Sequence, residues 1–595
     1  MALAPCLFIS CGKEIAELPD TIKQLTIIAS VERKPETRNT IANIDIDNNV
    51  VKIEWTKNDC INVFFGDSGG SKFTTEESGE VAKFKGSIDV AVGGGEGLTD
   101  DTSLWGVYPY KSTTTCDGTY VYYTLPSEQE AAENTFAKEL FPQIAKSRNF
   151  YMTFYNPCAS IRFTVESNDI KAVSLKGNNG ESLAGKAKIS MESVPVVESI
   201  ESGETELMMY APNGGCFTPG VTYYFVLFPT VFENGLSITY YKENSHATYS
   251  HSKAYTLGRN KFSRFLDRDS GLTFYTDLSA SGTANCYLIQ KAGDYTFKAV
   301  QGNTEDAVGN VKSVEVLWES FGTAEKPNVG DLISSVSYSD GYIRFSTPAT
   351  FKDGNALIAA KDASGTIFWS WHIWCASEGW KEQSYYNEAG TMMDRNLGAT
   401  SATAGEVGSL GLFYQWGRKD PFLGAAAVNN WPRAASTGKW AKSSTYITPS
   451  LAEQNPMTFY TGDSNYLPNG SWDSKKTAYD PCPAGWRVPD GGSDGTWSKA
   501  KGGSSSFSIT GFSNGLSFGG TFSSNETVWY PASGCLSNDS GALYYVGDYG
   551  YYWSVTPNPS RSTYAYNLNF YNSGYVNPSN NDYRSNGMSV RCLKE

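Results

Sequence analysis

Short apolar runs separated by Gly, Asn, Ser, Asp and Pro recur along the whole 595-residue chain. Clear examples are LTIIASV at 25–31, VAKFKG at 81–86, TYYFVLFPTVF at 222–232 and NALIAAKDASGTIFWSWHIW at 355–374. Many of them place apolar side chains at every second position, the period of a strand with one buried face, and turn residues lie between them. The pattern predicts a mainly β protein.

The chain is too long for one hydrophobic core, so several domains are expected. The strand pattern restarts near residue 151, and the Gly- and Asp-containing clusters at 258–271 are typical of an interdomain joint. Twelve of the fifteen Trp lie between residues 369 and 553, which marks another change of character near residue 377. The predicted division is 1–11, 12–157, 158–271, 272–376 and 377–595.

Composition and charge argue against several functions. A formal net charge of −14 leaves no basic stripe for phosphates, which disfavours nucleic-acid binding, and no apolar run reaches the length of a transmembrane helix. The chain holds three His and no C-x-x-C pair, and neither Asp45 with Asp47 nor Asp490 with Asp494 completes an EF-hand loop. No metal site and no cofactor are predicted.

Catalytic patterns are incomplete as well. Residues 491–495, GGSDG, match the G-x-S-x-G turn of serine hydrolases, but that turn needs a downstream His and none follows His372. The acidic pair Glu453 and Asp463 has no spacing that would single it out as a glycosidase dyad. The sequence predicts a binding protein and not an enzyme.

The N-terminus, MALAPCLFISCGKE, is a short apolar run that ends at Cys11 and turns polar at once. It resembles the end of a bacterial lipoprotein signal, which implies lipidation of Cys11. The alternative is a chance cysteine in an incomplete secretion signal. Either interpretation predicts an exported protein whose contact with the membrane is a lipid anchor before processing.

Five motifs resemble, in this order, the fimbrillins of type V pili from Gram-negative gut and oral bacteria. They are KIEWTKNDCINVFF (52–65), VAKFKGSI (81–88), LWGVYPY (104–110), ASIRFTVESNDIKAVSLKGNNGESLAGKAKI (159–189) and YYFVLFP (223–229). The resemblance covers about residues 12–270 and implies two β-sandwich domains, 12–157 and 158–271. It also implies assembly by strand exchange, in which proteolysis removes the first strand and a neighbouring subunit's strand refills the groove.

The connector after the first strand, ERKPETRNT, holds two arginines in an exposed polar loop. Processing after Arg38 is expected because it frees the whole strand, with Arg33 as the alternative. The chain ends in SVRCLKE within its last domain. In the fimbrillins that it resembles, stalk subunits carry a C-terminal donor strand for the next subunit. The resemblance therefore implies that this chain accepts a strand and donates none, as expected of a subunit at the pilus tip.

Residues 272–376 read as an Ig-like β domain. Within the last predicted domain, 377–595, about residues 385–594 resemble the FISUMP domain, named for a major paralogous family of Fibrobacter succinogenes. The motifs are MMDRNLGATS (392–401), GLFYQWGRKDPF (411–422), YDPCPAGWRVPD (479–490), WYPASGC (529–535), YYWSV (551–555) and SVRCLKE (589–595). The resemblance implies a mixed α/β, C-type-lectin-like domain whose termini lie close together. That arrangement implies a disulfide between Cys482 and Cys592, with Cys375 and Cys535 as a less secure second pair.

The sequence offers two aromatic stretches, one rich in Trp and one rich in Tyr, as candidate ligand surfaces. Trp369 and Trp371 are two residues apart on one strand face, with Phe368, Ser370 and His372 on the other, which favours core packing over ligand stacking. A polar set around an aromatic, Gln415, Trp416, Arg418, Lys419 and Asp420, is interpreted as an internal scaffold rather than a sugar site.

The stretch YYVGDYGYYW at 544–553 is the better candidate, because it carries aromatics on both strand faces and only one face can be core. The predicted ligand residues are Asp548, Tyr549, Tyr551 and Tyr552, assisted by Asn residues of the 567–581 loop.

The favoured hypothesis is a pilus-tip adhesin on the cell surface that binds a glycan or a host or matrix protein. A surface lipoprotein that captures or processes glycans is one alternative. A non-adhesive stalk or anchor subunit is another.

Overall fold

A computed structural model describes residues 22–32, 44–45, 50–51, 54–65, 69–89, 103–502, 507–519, 522 and 527–595. The chain divides into two compact units, residues 1–274 and 275–595. Strands dominate both units, so the prediction of a mainly β protein is confirmed. The finer division into four domains stays a prediction. None of the described helices is long and apolar enough to cross a membrane.

The described strands of the first unit follow one another closely along the chain. They are β1 (Ile22–Val31), β2 (Ile44–Asp45), β3 (Val50–Val51), β4 (Cys60–Phe65), β5 (Ser71–Thr75), β6 (Val81–Asp89), β7 (Leu104–Tyr108), β8 (Thr115–Cys116), β9 (Tyr120–Leu125), β10 (Glu128–Glu130), β11 (Gln143–Ser147), β12 (Tyr151–Phe154), β13 (Ala159–Phe163), β14 (Ala172–Gly177), β15 (Ala184–Met191), β16 (Pro195–Glu204), β17 (Glu206–Tyr210), β18 (Tyr223–Leu227), β19 (Thr230–Phe232), β20 (Leu236–Tyr241), β21 (Ser245–His251), β22 (Tyr255–Leu257) and β23 (Phe262–Phe265).

Seven strands form the first sheet, in the order β11-β7-β4-β5-β6-β1-β12. Its two ends also meet: Ile144 of β11 and Tyr155, the residue after β12, exchange two backbone hydrogen bonds of 2.8 Å. The sheet therefore nearly closes on itself. Alternation explains the burial, since Ala82 and Phe84 of β6 face the core while their neighbours along the strand are exposed.

The other strands of this unit form smaller sheets, most of which surround the same core. Their orders are β10-β17-β14-β20-β21, β16-β15-β9-β8, β18-β13-β23, β19-β22 and β2-β3. One continuous apolar cluster joins the first sheet to these, from Ile27 and Phe84 to Phe163, Leu175 and Phe225.

The second unit continues the strand-rich pattern with two short helices. Its strands are β24 (Tyr275–Asp277), β25 (Cys286–Ile289), β26 (Asp294–Lys298), β27 (Ser313–Ser320), β28 (Ser335–Ser339), β29 (Tyr342–Ser346), β30 (Gly354–Lys361), β31 (Ile367–Cys375), β32 (Glu382–Tyr385), β33 (Gly390–Met393), β34 (Phe413–Gln415), β35 (Ala441–Ser443), β36 (Thr458–Tyr460), β37 (Trp486–Arg487), β38 (Ile509–Phe512), β39 (Gly515–Phe518), β40 (Val528–Pro531), β41 (Cys535–Leu536), β42 (Leu543–Tyr544), β43 (Tyr549–Pro557), β44 (Tyr564–Tyr571), β45 (Val576–Tyr583), β46 (Gly587–Ser589) and β47 (Leu593–Lys594), and its helices are α1 (Pro449–Gln454) and α2 (Thr496–Lys501).

Two four-stranded sheets, β24-β26-β29-β28 and β25-β31-β30-β27, enclose the core of residues 275–376. Phe297 of β26 packs against Trp371 of β31 with the two ring centroids 5.3 Å apart. The second sheet also packs outward, because Trp374 donates its indole N–H to the Ala399 carbonyl at 3.0 Å and shares a core with Trp416.

Residues 377–595 hold the sheet β42-β41-β46-β43-β44-β45, with β34 paired to β46, and the smaller sheets β32-β33-β47-β37, β38-β39-β40 and β35-β36. The α content predicted for this part amounts to two six-residue helices among the described residues. The lectin-like assignment stays a prediction.

Candidate functional site

The first strand, β1, is the sixth of the seven strands in the nearly closed sheet and has a partner strand on each side. β1 pairs antiparallel with β6 from Ile22 opposite Asp89 to Ser30 opposite Val81, and parallel with β12 through residues 28–31. Ile27 and Ala29 are fully buried, and Val31 nearly so. Because both of its edges are hydrogen-bonded, removal of β1 would open a closed sheet and uncover two unpaired strand edges.

Two side-chain contacts hold this strand besides its backbone ladder. Trp55 donates its indole N–H to the Ala29 carbonyl at 3.1 Å, and its ring packs edge-on against Phe84 of β6 and Phe154 of β12. At the end of the strand, both carboxylate oxygens of Glu32 accept from the Arg259 guanidinium, at 2.9 and 3.0 Å. The bidentate pair fixes the point where the chain leaves β1.

The processing and lipidation residues that the sequence predicts for this end of the chain, Cys11, Arg33 and Arg38, lie outside the described residues.

A second candidate site is a row of tyrosines on the second unit. We define the tyrosine cluster as Tyr544, Tyr545, Tyr549, Tyr551, Tyr571 and Tyr575. Consecutive rings touch: the centroids of Tyr545 and Tyr549 lie 4.9 Å apart, those of Tyr549 and Tyr571 5.2 Å, and those of Tyr571 and Tyr575 4.7 Å. The rings of Tyr544, Tyr545 and Tyr575 are 43–45% exposed, so the row presents an aromatic surface to solvent.

Polar groups stand beside these rings. The Asp548 carboxylate accepts from the Asn572 side-chain amide at 2.9 Å, and the Asn572 backbone N–H donates to the Asp548 carbonyl at 2.9 Å. These bonds bring together the Asp and one of the loop Asn residues that the sequence predicts as partners of the rings. A flat apolar surface with amide and carboxylate groups at its edge is suited to a sugar.

Tyr552 requires a correction. The side chain is fully buried, donates its hydroxyl to the Pro531 carbonyl and packs edge-on against Tyr530, so its ring cannot stack on a ligand. The reason is strand parity: Tyr549 and Tyr551 share one face of β43, and Tyr552 faces the core. Tyr551 is intermediate, since burial raises the pKa of its hydroxyl while part of the ring stays accessible.

Sequence analysis did not include Tyr571 and Tyr575 in the cluster, because Tyr571 ends the next strand, β44, and Tyr575 lies just before β45. The cross-strand pairing of Tyr549 with Tyr571 brings them to the cluster. The signal available in the sequence was the Tyr content of the 567–581 stretch, which was interpreted as a source of Asn and Ser groups.

The Trp run and the polar set lie in the interior. Trp369 and Trp371 are buried, and Arg418, Lys419 and Asp420 are each at most 3% exposed. Lys419 donates to Asp420 Oδ1 at 2.6 Å and to the Ser370 hydroxyl at 2.7 Å, which makes an internal ion pair.

His372 is equally internal. It donates from Nε2 to Asn355 Oδ1 at 2.8 Å, and burial lowers its pKa to about 3, so it stays neutral. Neither it nor the polar set offers a surface for a ligand.

Cys482 and Cys592 form a disulfide with Cα atoms 6.1 Å apart. It joins the turn before β37 to the segment before β47. Asp480 shapes that turn by accepting the backbone N–H groups of Cys482 and Val488 at 2.9 Å each. The second pair suggested by the sequence, Cys375 with Cys535, is wrong, since both cysteines are free and buried.

Among the described residues, no group of three or more His, Cys, Asp or Glu side chains is arranged to hold a metal ion.

Comparison with known proteins covers part of the chain. A domain of unknown function, DUF8237, matches residues 520–593. No curated protein is significantly similar to this chain.

Solved structures offer distant similarities to the chain. One is a protein assigned to cell adhesion from Bacteroides ovatus ATCC 8483, with 14% identity, coverage of 43% of this chain and 96% of that one, and a TM-score of 0.27. A second, also assigned to cell adhesion, comes from Bacteroides thetaiotaomicron VPI-5482, with 12% identity, coverage of 41% and 92%, and a TM-score of 0.23. The third is the tip fimbrial protein Mfa3 from Porphyromonas gingivalis, truncated at its C-terminus, with 8% identity, coverage of 41% and 94%, and a TM-score of 0.21. TM-scores this low decide neither the fold nor the function of the chain.

Proposed function

We propose that the protein is an exported surface adhesin of a pilus, which accepts a strand from a neighbouring subunit in place of β1. The observation that carries this proposal is the position of β1, which completes a nearly closed sheet and leads directly into the connector with Arg33 and Arg38. The ordered sequence motifs shared with fimbrillins support the same function. The proposal is of a binding protein and not an enzyme.

Loss of β1 would leave a groove in the sheet that favours binding of a replacement strand. The facing edges of β6 and β12 would present unpaired N–H and C=O groups, and such edges are templates for another strand. The groove would also expose the apolar floor that Ile27, Ala29 and Val31 cover. A donor strand must therefore carry apolar side chains at the same alternate positions.

Cleavage alone does not release β1 in this mechanism. After a cut beyond Glu32, the strand keeps its ladders to β6 and β12 and its bidentate pair with Arg259. An incoming strand has to compete for these bonds. Exchange therefore proceeds only where a donor is present, which protects the processed subunit from exposing an empty groove.

The adhesive contact in this proposal is made by the tyrosine cluster, with a glycan as the ligand. Tyr545, Tyr549 and Tyr575 offer accessible ring surface, and Asp548 and Asn572 offer groups that bind hydroxyls. Stacking on an aromatic face and hydrogen bonds at its edge together recognise a sugar ring.

Mass spectrometry of assembled filaments is expected to find a chain that begins at Asn39, because cleavage after Arg38 frees the whole of β1. Cleavage after Arg33 would give a chain that begins at Lys34. Replacing both arginines with Gln should leave β1 attached and stop filament growth. Arg148→Gln, in the exposed turn between β11 and β12, is the matched control and should be processed normally. Filaments in which the chain still begins at Cys11 would contradict the mechanism.

The same expectation can be checked on the purified, processed protein. A synthetic peptide of residues 22–32 should exchange with the resident strand. The peptide with Ile27→Asp should bind more than about a hundredfold more weakly, since Ile27 is fully buried and a buried charge costs several kcal/mol. The peptide with Thr26→Asp is the control, because Thr26 faces solvent. Equal binding of the two variant peptides would exclude insertion at the β1 position.

Replacing Tyr545 and Tyr575 with Ala should weaken glycan binding about tenfold or more, because two stacking surfaces are lost. Both side chains are 45% exposed, so the melting temperature should barely change. A glycan array and thermal unfolding of the full chain measure the two effects. Tyr446→Ala is the control, since Tyr446 is 65% exposed and lies outside the cluster.

Unchanged glycan binding by the folded double variant would remove the tyrosine cluster from the ligand site. Tyr551→Ala is less informative, because that ring also packs against the core and its loss mixes stability with binding. Immunogold labelling separates the positions within a pilus. Label at filament ends indicates a tip subunit, whereas label along the shaft indicates a stalk subunit.

A further inference from the structure

A cavity of about 290 Å³ opens beside the seven-stranded sheet of the first unit. Its walls come from the loop 54–59 that precedes β4, from Tyr108 at the end of β7, and from the loop 136–141 between β10 and β11. Its volume lies near the lower end of the range for small-molecule sites. We name it the Asp59 cavity after the carboxylate in its wall.

Asp59 is a buried carboxylate that accepts hydrogen bonds from two neutral donors. The side chain is 5% exposed; Oδ2 accepts the Thr56 backbone N–H at 2.8 Å, and Oδ1 accepts the Tyr108 hydroxyl at 3.4 Å. Nowhere in the described part of the chain does a Lys, Arg or His form an ion pair with it. Buried carboxylates are normally paired, because an uncompensated charge in the interior is costly. Burial accordingly raises the pKa of Asp59.

Four buried aromatic rings share the cavity wall with this carboxylate. Trp55 and Tyr108 meet at 5.5 Å with their planes 79° apart, and Phe136 and Phe141 stack at 4.3 Å. Ring faces attract cations, and several rings around one cavity are the usual arrangement for binding quaternary ammonium groups. The apolar rings also suit the methyl or methylene groups that surround such a charge.

We propose that the Asp59 cavity binds an alkylammonium cation, meaning a small organic molecule with a quaternary or protonated amine. The carboxylate supplies the counter-charge, and the rings of Trp55, Tyr108, Phe136 and Phe141 supply the apolar cage. The remaining lone pairs of the carboxylate can accept N–H groups from a protonated amine. The cavity is lined by residues of the first unit and uses none of the tyrosine cluster.

Charged residues at the rim of the cavity affect how strongly an added cation can bind to the Asp59 carboxylate. Lys138 is exposed on the loop 136–141, and its ammonium attracts the Asp59 carboxylate, whereas Glu139 repels it. Lys138 is therefore a weak internal competitor for an added cation. Lys57 is engaged elsewhere, because its ammonium pairs with Glu76 at 3.1 Å.

One wall of the cavity also depends on the first strand. The indole of Trp55 is held by its hydrogen bond to the Ala29 carbonyl, and its backbone exchanges hydrogen bonds with Gly79 at 2.8 and 3.0 Å. The ring is thus fixed before a ligand enters, which lowers the entropic cost of binding.

Titration calorimetry with the full-length chain tests the proposal. Choline is the probe, and 3,3-dimethyl-1-butanol, which has the same shape without the charge, is the matched neutral ligand. Choline should bind with one-to-one stoichiometry and at least about tenfold more tightly than the neutral ligand, since only choline gains the carboxylate and cation–π interactions. Methylamine should also bind, because the remaining lone pairs of the carboxylate can accept its N–H groups.

Variants assign the binding to this cavity. Asp59→Asn should weaken choline binding at least about tenfold, and Phe141→Leu should weaken it several-fold by removing one ring. Lys138→Ala is the matched control and should bind choline as tightly as the natural chain or more tightly, because a competing ammonium is removed. If Asp59→Asn does not fold, the proposal is still tested by the loss of choline affinity in Phe141→Leu and by the difference in affinity between choline and its neutral analogue.

Four results would overturn the proposal: no binding of choline or methylamine, equal affinity for choline and its neutral analogue, unchanged affinity in Asp59→Asn, or weakened affinity in Lys138→Ala. A neutral monosaccharide that binds where choline does not would assign the cavity to sugars instead. None of these outcomes bears on strand exchange, which the peptide and filament experiments test separately.

Discussion

Replacing Trp371 with Ala is expected to lower the free energy of unfolding of the second unit by about 3–5 kcal/mol. The side chain is fully buried between the two sheets of residues 275–376, where it contacts Phe297. Its removal leaves a cavity that rigid strands on both sides cannot fill. Calorimetry of the full chain should show one transition moving to lower temperature, while the transition of the first unit stays in place.

Phenylalanine at the same position is the informative control. The Trp371 indole N–H has no hydrogen-bond partner among the described residues, so Trp371→Phe keeps apolar volume and removes an unsatisfied donor. Trp369→Phe should cost more than Trp371→Phe, because the Trp369 indole donates to Asn285 Oδ1 at 2.9 Å and the amide oxygen would lose its donor. A cost below about 1 kcal/mol for Trp371→Ala would show that this ring is not part of the core.

Removing the disulfide by replacing Cys482 and Cys592 with Ala should destabilise the second unit by about 3–5 kcal/mol. The two cysteines are 110 residues apart in sequence, so the bond restricts a long loop in the unfolded chain. Denaturant unfolding followed by Trp fluorescence would measure the change, since most Trp residues lie in this unit.

Reduction provides the control for the disulfide. Dithiothreitol should lower the stability of the natural chain toward that of the double Ala variant, and it should leave the variant itself unchanged. Cys375→Ala and Cys535→Ala remove free thiols and should keep the response to reductant. A natural chain that is insensitive to reductant after full unfolding and refolding would contradict a stabilising bond.

Alternation along β31 predicts which Trp residues share a face, but it does not predict whether the opposite face is buried. Trp369 and Trp371 are buried as the pattern indicates, but Ser370 and His372 on the opposite face are buried too. The reason is that β31 lies between β25 and β30 in a sheet covered on both sides. A period of two identifies faces, and only the packing of distant segments shows whether the second face is covered.

The same limit of local patterns is seen in the tyrosine stretch at the candidate site. Its high aromatic content correctly indicated that some rings must stay accessible, yet it did not show which ones. Because side chains alternate along β43, Tyr552 faces the core and Tyr549 faces the surface. The pairing of β43 with β44 brings Tyr571 next to Tyr549. A shift of register by one residue would have exchanged the two faces.

Local features of the chain were sufficient for its β character, because strand periodicity and turn chemistry act over a few residues. The number of His and Cys residues and the net charge were sufficient to disfavour zinc and nucleic acid. Long-range pairing was required for the rest. Two contacts join segments far apart in sequence: the insertion of β1 between β6 and β12, and the meeting of Asp59 with rings of loop 136–141. Such contacts depend on the free energy of the whole fold, and no local pattern encodes them.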